Sequence, residues 1–290
     1  MDVVNFGSLN IDYVYSVGHI VAPGETISSA ALEVFPGGKG LNQSIALARA
    51  GAKVSHAGMI GEDGRMLAEL LEENGVDTHF IRTARERTGN AIIQLADSGQ
   101  NSIVLYGGAN RALTDDYIDD VLSSFDAGTM VLLQNETNAC KGVIEKAYGR
   151  GMKIALNPSP YDEGLRSCDL SKVSFFLLNE IEGEQITGAS EPGDILDAME
   201  DMYPGAVVVL TLGEDGAVLR CRDGEIRQGI YPTTVVDTTA AGDTFTGYFL
   251  AAVISGCGFE KALDAASKAA SIAISVKGAA NSIPSAAYTK

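Results

Sequence analysis

Val235-Val236-Asp237-Thr238-Thr239-Ala240-Ala241-Gly242-Asp243-Thr244-Phe245 reads as a strand end that passes through small residues straight into a helix. Phe245, Phe249, Ala252 and Val253 keep the i, i+4, i+7, i+8 spacing of one apolar helical face. The first turn of such a helix leaves backbone N–H groups unpaired at the positive end of its dipole, and small side chains let an anion reach them. Residues 240 to 243 are therefore expected to form an anion hole for a phosphoryl group. Asp243, in that first turn, has a plain reading as an acid that favours a helix N-terminus. Beside a phosphate-binding turn, however, a carboxylate is also placed to take the proton of an attacking alcohol, and we adopt that reading.

A second turn, Phe35-Pro36-Gly37-Gly38-Lys39-Gly40-Leu41-Asn42-Gln43-Ser44, again leads into a helix, which ends at Gly51. It is not the phosphate loop in which lysine precedes Ser or Thr, because Gly40 follows Lys39. The turn after the first apolar run, Gly7-Ser8-Leu9-Asn10, lacks the G-x-G-x-x-G dinucleotide fingerprint. Taken alone, Gly37, Gly38 and Gly40 are equally a tight strand-to-helix turn.

Outward from these turns, apolar runs alternate with amphipathic stretches from residue 37 to the end: 54–60 with 66–74, 130–133 with 140–148, 175–178 with 180–187, then 207–212 with a hairpin. That rhythm predicts an α/β fold, a mainly parallel sheet with helices on both faces. Gly51, Gly75 and Gly188 stand where helix C-caps belong. Residues 9–35 and 80–106 break the rhythm with paired short strands and polar turns, as in Ala91–Leu95 followed by Asp97-Ser98-Gly99. The simplest organisation is one α/β domain over residues 1–290 carrying a small β lid.

The 290 residues are 46% hydrophobic, enough for a substantial core, and no apolar run approaches the ~20 residues of a membrane span. Met1 leads directly into an apolar strand-like run with no basic segment or cleavage site, so a cytoplasmic location is expected. A formal charge of -17 argues against nucleic acid as a partner. It also means that a nucleotide would have to be held by local positive elements: amides, helix N-termini, a lysine and metal ions. Cys140, Cys168, Cys221 and Cys257 are too scattered for a zinc site and read as reduced thiols. His19, His56 and His79 suggest no hydrolytic pair.

With these turns stand Gly7 to Asp12, Pro23-Gly24-Glu25-Thr26, Gly108-Ala109-Asn110, Leu156-Asn157-Pro158, Asn179 to Glu182, Thr211-Leu212-Gly213 and Lys277-Gly278-Ala279. In this order, over the whole chain, they resemble the ribokinase family of sugar and nucleoside kinases, also called phosphofructokinase-B-type carbohydrate kinases. The resemblance implies a Rossmann-like three-layer α/β/α domain whose β lid often forms a homodimer interface. It makes Asp243 the base for a sugar's 5-hydroxyl, with the amides of Ala240, Ala241 and Gly242 stabilising the phosphoryl group in flight. Asp12, Gly38, Lys39, Asn42 and Glu136 match positions that bind sugar hydroxyls.

For ATP and Mg²⁺ the resemblance points to Asn179 and Glu182, with Thr211 and Gly213 beneath the nucleotide. Locally, Asn179 and Glu182 also spell a helix capping box. A potassium ion is implied beside the anion hole, at Asp237, Thr239, Ala273, Val276, Gly278 and Ser282. Three departures bear on the substrate: Ala240-Ala241 where Gly-Ala is common in the family, Asn135 at a usually apolar position, and Pro36 before Gly37. The expected activity is ATP-dependent phosphorylation of the D-ribose 5-hydroxyl. The alternatives are a nucleoside or 2-deoxyribose kinase, with Tyr13, Tyr15 or Tyr106 as a wall for a base, and a non-catalytic sugar sensor.

Overall fold

The computed structural model describes residues 2–288. In chain order its strands are β1 (Val3–Phe6), β2 (Asn10–Val17), β3 (Ala31–Gly37), β4 (Val54–Ile60), β5 (Asp77–Thr83), β6 (Gly89–Ala96), β7 (Asn101–Tyr106), β8 (Met130–Gln134), β9 (Lys153–Asn157), β10 (Phe175–Asn179), β11 (Val207–Thr211), β12 (Ala217–Cys221) and β13 (Gly224–Gln228). The helices are α1 (Lys39–Arg49), α2 (Arg65–Glu73), α3 (Asp115–Ser123), α4 (Cys140–Gly149), α5 (Glu163–Arg166), α6 (Glu180–Thr187), α7 (Pro192–Met202), α8 (Ala241–Ile254) and α9 (Phe259–Ala273).

Nine strands form one sheet in the order β13-β12-β11-β10-β9-β8-β1-β4-β5. It is parallel from β5 to β11, and β12 and β13 close the far edge as an antiparallel hairpin. Strand β8 shows why the sheet must be covered twice: Met130 and Leu132 face one core, Val131 and Leu133 the other, and all four are buried. One core receives α3, α4 and α7, and the other α1, α2, α8 and α9. The three-layer α/β/α expectation is met.

The chain leaves the central strand β1 for β4 and β5 on one side and later for β8 to β11 on the other. Such a reversal opens a crevice at the carboxyl ends of the parallel strands. Gly7-Ser8 after β1, Glu136 after β8, Asn157 ending β9, Asn179 ending β10 and Thr211 ending β11 all lie along that line.

A second, four-stranded sheet, β3-β2-β6-β7, stands apart from the first. Its strands β2 and β6 are parallel, while β3 and β7 pair antiparallel on its edges. The excursion expected from residue 80 begins later, because Phe80–Thr83 still pair with Ala57–Ile60 in the large sheet. Pro36 lies on the edge strand β3, where a missing N–H does least harm to the ladder.

One further expectation fails. Val235 and Val236 are not a strand end; they are exposed, and the amides of Val236 and Asp237 both donate to the Ile274 carbonyl after α9, at 2.8 and 3.1 Å. Two β-branched residues imitate a strand, but no neighbouring strand is available to pair with them. No helix among the described residues is long and apolar enough to cross a membrane.

Candidate active site

Helix α8 begins on strain. Ala240 has φ 60° and ψ 13°, the only left-handed non-glycine conformation among the described residues. That conformation costs roughly 1–3 kcal/mol and persists where the surroundings impose it. The Thr244 amide donates to the Ala240 carbonyl at 2.8 Å, and the Ala241 amide closes back on Thr238 O at 3.2 Å. The amides of Gly242 and Asp243 have no acceptor among the described residues and face the helix start. They are ready for an anion, whereas Ala241 would have to release Thr238 first.

Asp243 is only 8% exposed, and both its oxygens are held. Asn42 Nδ2 donates to Oδ2 at 3.0 Å and Gln43 Nε2 to Oδ1 at 2.8 Å. Both donors belong to the first turns of α1, so the two sequence turns meet at this carboxylate. Glycines make that meeting possible. A Cβ at Gly40 would lie 2.3 Å from Ser8 N, so only glycine lets α1 start against the β1 turn. Gly38, at φ 99°, requires glycine for its backbone as well.

On the same helix start, Glu136 Oε2 accepts from the Lys39 amide at 3.0 Å and from the Ser8 hydroxyl. Asp12 on β2 packs against Gly37, where a Cβ would approach its Oδ2 to 2.1 Å. Burial, reinforced by the Glu136 charge, pushes the Asp12 carboxyl up to about 6. Lys39 stands between the two groups of acids. Burial works against its ammonium, but the charges of Asp243, Glu136 and Glu182 prevail and its pKa is raised. It forms no ion pair among the described residues, so its donors remain available.

A cavity of about 230 Å³ opens from Asp243 and the α8 turn towards the nucleotide candidates, with Lys39, Asn179, Glu182 and Thr211 in its wall. Asn179 and Glu182 form the capping box that their spacing allows: Glu182 N–H donates to Asn179 Oδ1 at 2.9 Å and Asn179 N–H to Glu182 Oε2 at 3.0 Å. Glu182 Oε1 and Asn179 Nδ2 stay free for a ligand among the described residues. Gly213, at φ 55° in the turn after β11, does not line this cavity. Asp12, Gly38, Asn42 and Glu136 also lie outside its wall, towards the small sheet and the start of α1.

The residues matched to a potassium site converge only in part. Asp237 Oδ1 accepts from the Thr239 amide and hydroxyl at 2.9 and 2.6 Å, and Oδ2 from the Gly278 amide at 2.9 Å. These donors hold its carboxyl below the ordinary range against the opposing effect of burial. Ala273 and Val276 join through a 3.1 Å bond from the Val276 amide. The Ser282 hydroxyl turns to Ala279 O at 2.8 Å.

Several working residues had no assigned role in the sequence reading. Ser8 and Gln43 lie inside the quoted turns, but nothing in a linear pattern shows which members touch Asp243 or Glu136. Asn110 pairs with both backbone groups of Leu9 and with Asn10 Oδ1, fixing the start of β2. Asn135 is engaged elsewhere: its Nδ2 donates to Pro160 O at 2.7 Å and Asp162 Oδ1 at 2.8 Å, pinning the segment after β9.

A doubly covered parallel sheet, with a phosphate-ready helix start and a buried carboxylate at its switch point, defines a phosphoryl-transfer class of α/β protein. Comparison makes the class particular. The model of the pfkB family carbohydrate kinases matches residues 1–286. A ribokinase of Haemophilus influenzae is 36% identical over 292 residues, spanning 96% of this chain and 94% of its own. The ribokinase of Cryptococcus neoformans in complex with ADP superposes with a TM-score of 0.88 at 33% identity, covering 99% of this chain and 98% of that one. The Arabidopsis thaliana ribokinase complexed with ribose and ATP gives 0.87 at 32%, covering 99% and 97%. The chain belongs to the pfkB family of carbohydrate kinases, phosphotransferases that act on an alcohol group.

Proposed function

We propose that this chain transfers the γ-phosphoryl group of ATP to the 5-hydroxyl of D-ribose, giving ribose 5-phosphate and ADP. The observation that carries this reading is the convergence, on one cavity, of the buried Asp243 carboxylate, the unpaired Gly242 and Asp243 amides and the unpaired Lys39 ammonium. Relatives named for ribose, and one complexed with ribose and ATP, support the acceptor.

In this reading Asp12, Glu136 and Asn42 select the sugar. Asn42 Oδ1 is a buried acceptor without a donor among the described residues, and a sugar hydroxyl would satisfy it. Asp243 accepts the 5-hydroxyl proton as that oxygen attacks phosphorus. The α8 amides and Lys39 then stabilise the charge gathering on the transferred group. Ala241 joins if its bond to Thr238 opens.

Glu182, one carboxylate with a free oxygen, fits an Mg²⁺ ion that takes its remaining ligands from phosphates and water. When bound, that ion neutralises phosphate charge. The Asp237 carboxylate, held by the Thr239 amide and hydroxyl and by the Gly278 amide, would give K⁺ a single negative charge, with Thr239, Ala273, Val276, Gly278 and Ser282 as the further oxygen donors that the family likeness assigns. One face of the small sheet exposes Leu32, Val34, Ile92, Val104 and Tyr106, an apolar face consistent with a lid that also joins two copies. We place the enzyme in the cytoplasm.

The test is ADP release from Mg-ATP, with and without potassium, across D-ribose, 2-deoxyribose, fructose and nucleosides. Selective turnover of D-ribose supports the proposal. Preference for 2-deoxyribose or a nucleoside moves the substrate to the alternative, and folded protein without turnover on any acceptor returns it to a sugar sensor.

A further inference from the structure

Behind Asp243 lies a chain of buried amides with a single self-consistent direction. Gln43 Nε2 gives one proton to Asp243 Oδ1 at 2.8 Å and the other to Asn157 Oδ1 at 3.1 Å. Its Oε1 accepts from Gln134 Nε2 at 2.7 Å, whose second proton goes to Asn5 Oδ1 at 3.0 Å. Asn5 Nδ2 in turn donates to Gly40 O at 2.9 Å and Ser44 Oγ at 2.8 Å. Asn5, Gln43, Ser44 and Gln134 are fully buried.

The direction follows from the ends. Gly40 O is a carbonyl and only accepts, so Asn5 must turn its Nδ2 there and its Oδ1 towards Gln134. Gln134 must then donate, which turns Gln43 Oε1 towards it and Gln43 Nε2 towards Asp243. On the other side, Asn157 Nδ2 donates to Leu177 O at 2.8 Å, which turns Asn157 Oδ1 towards Gln43. Two backbone carbonyls thus fix one glutamine from both sides, and a flipped amide would face like groups in a buried site.

We infer that Gln43 positions the base: it presents a fixed N–H to Asp243 Oδ1, in an orientation that Gln134, Asn5 and Asn157 dictate, and so keeps the carboxylate aimed and ready to accept a proton. This rests on Asp243 being the base of the proposed kinase. Gln43 does not line the cavity, so its role is exerted through Asp243. The charged groups that share the cavity with that carboxylate are Lys39 on α1 and, across the site, Glu182 on α6, while Glu136 after β8 acts on Lys39. None is altered by removing the glutamine.

Two variants test the inference. Q43M keeps length and bulk but cannot donate; Q134M leaves every contact of Asp243 in place and only frees the Gln43 amide to turn. In both, kcat with D-ribose and ATP should fall, by about 10-fold or more in Q43M and less in Q134M, with the KM for D-ribose within about 2-fold. Lower thermal stability with unchanged kcat would show a packing role alone and overturn the inference, as would a rise in the KM for D-ribose that matches the fall in kcat, or unchanged kcat in both variants. If Q43M does not fold, Q134M decides on the same criteria. Absence of turnover in the unmodified enzyme is a separate result that counts against the ribose reading.

Discussion

Asn42 and Asp243, 201 positions apart, are joined by a hydrogen bond of 3.0 Å from Nδ2 to Oδ2. The bond ties the start of α1 to the start of α8, so the carboxylate proposed as the base is held by another helix. Replacing the Asp243 carboxylate by an amide keeps its size but removes the ability to take a proton. D243N should therefore lower kcat by ~10²-fold or more while nucleotide binding, read by calorimetry, persists. Undiminished turnover would remove Asp243 from the mechanism.

Asp12 gives a pH signature on the sugar side. Its folded pKa is raised to about 6 from an ordinary 3.8, so without sugar the carboxyl is largely protonated below 6. In the proposed function Asp12 meets the sugar, and because hydroxyls donate best to the charged carboxylate, sugar binding would expel a proton in that range. The KM for D-ribose should fall as pH rises through about 6 and level off above it. Stability runs the opposite way: between 3.8 and 6 the unfolded chain releases a proton that the folded chain retains, and folding weakens as pH rises. D12N should bind sugar poorly yet melt higher at neutral pH, by about 3 kcal/mol in stability at most. A KM flat from pH 5 to 7.5 would contradict this account.

Gly247 governs how closely α8 approaches α1. A Cβ there would lie 2.4 Å from Ala46 Cβ and 2.8 Å from Leu47 N. G247A must push the helices apart, at a cost of about 1–3 kcal/mol, and lengthen the Asn42 and Gln43 contacts to Asp243. Denaturant unfolding should show that loss, accompanied by a fall in kcat larger than any change in ribose KM. Equal stability in urea would mean that the interface yields without strain.

Much of this architecture was legible because it follows local rules. Periodicity marks the buried strands, Gly188 supplies the left-handed cap of α6, and the spacing of Asn179 and Glu182 makes a capping box whatever else those residues bind. The small-residue run before Phe245 likewise announces a helix start. What sequence could not show is long-range: which amide of the second turn reaches Asp243, or that Asn135 turns away to Asp162. Val235 and Val236 have strand propensity without a strand partner, and propensity gives way when no ladder is available. The resemblance to a family supplied Asp12 and Glu136, whose local sequence carries no chemical pattern of its own.

His56 belongs to the same buried network and is expected to shape its response to acid. Its Nδ1 lies 2.8 Å from Ser44 Oγ and its Nε2 3.2 Å from Gly7 O. A carbonyl only accepts, so Nε2 carries the proton and Nδ1 takes the Ser44 hydroxyl hydrogen. Burial lowers its pKa to about 4 from an ordinary 6.5, partly offset by the Gly7 carbonyl. As pH falls below 6.5 the unfolded chain gains a proton that the folded chain refuses, so stability drops progressively to about pH 4 and this contribution is constant below it. The loss is roughly 3 kcal/mol at most. Protonation would also make Nδ1 a donor, so that Ser44 would accept from both His56 and Asn5 and its own hydroxyl hydrogen would lose its acceptor. H56N should be less stable than the parent at neutral pH because a ring is lost, yet its stability should decline less steeply between pH 6.5 and 4. Chemical denaturation at a series of pH values measures both slopes, and identical slopes would show that His56 does not control acid unfolding.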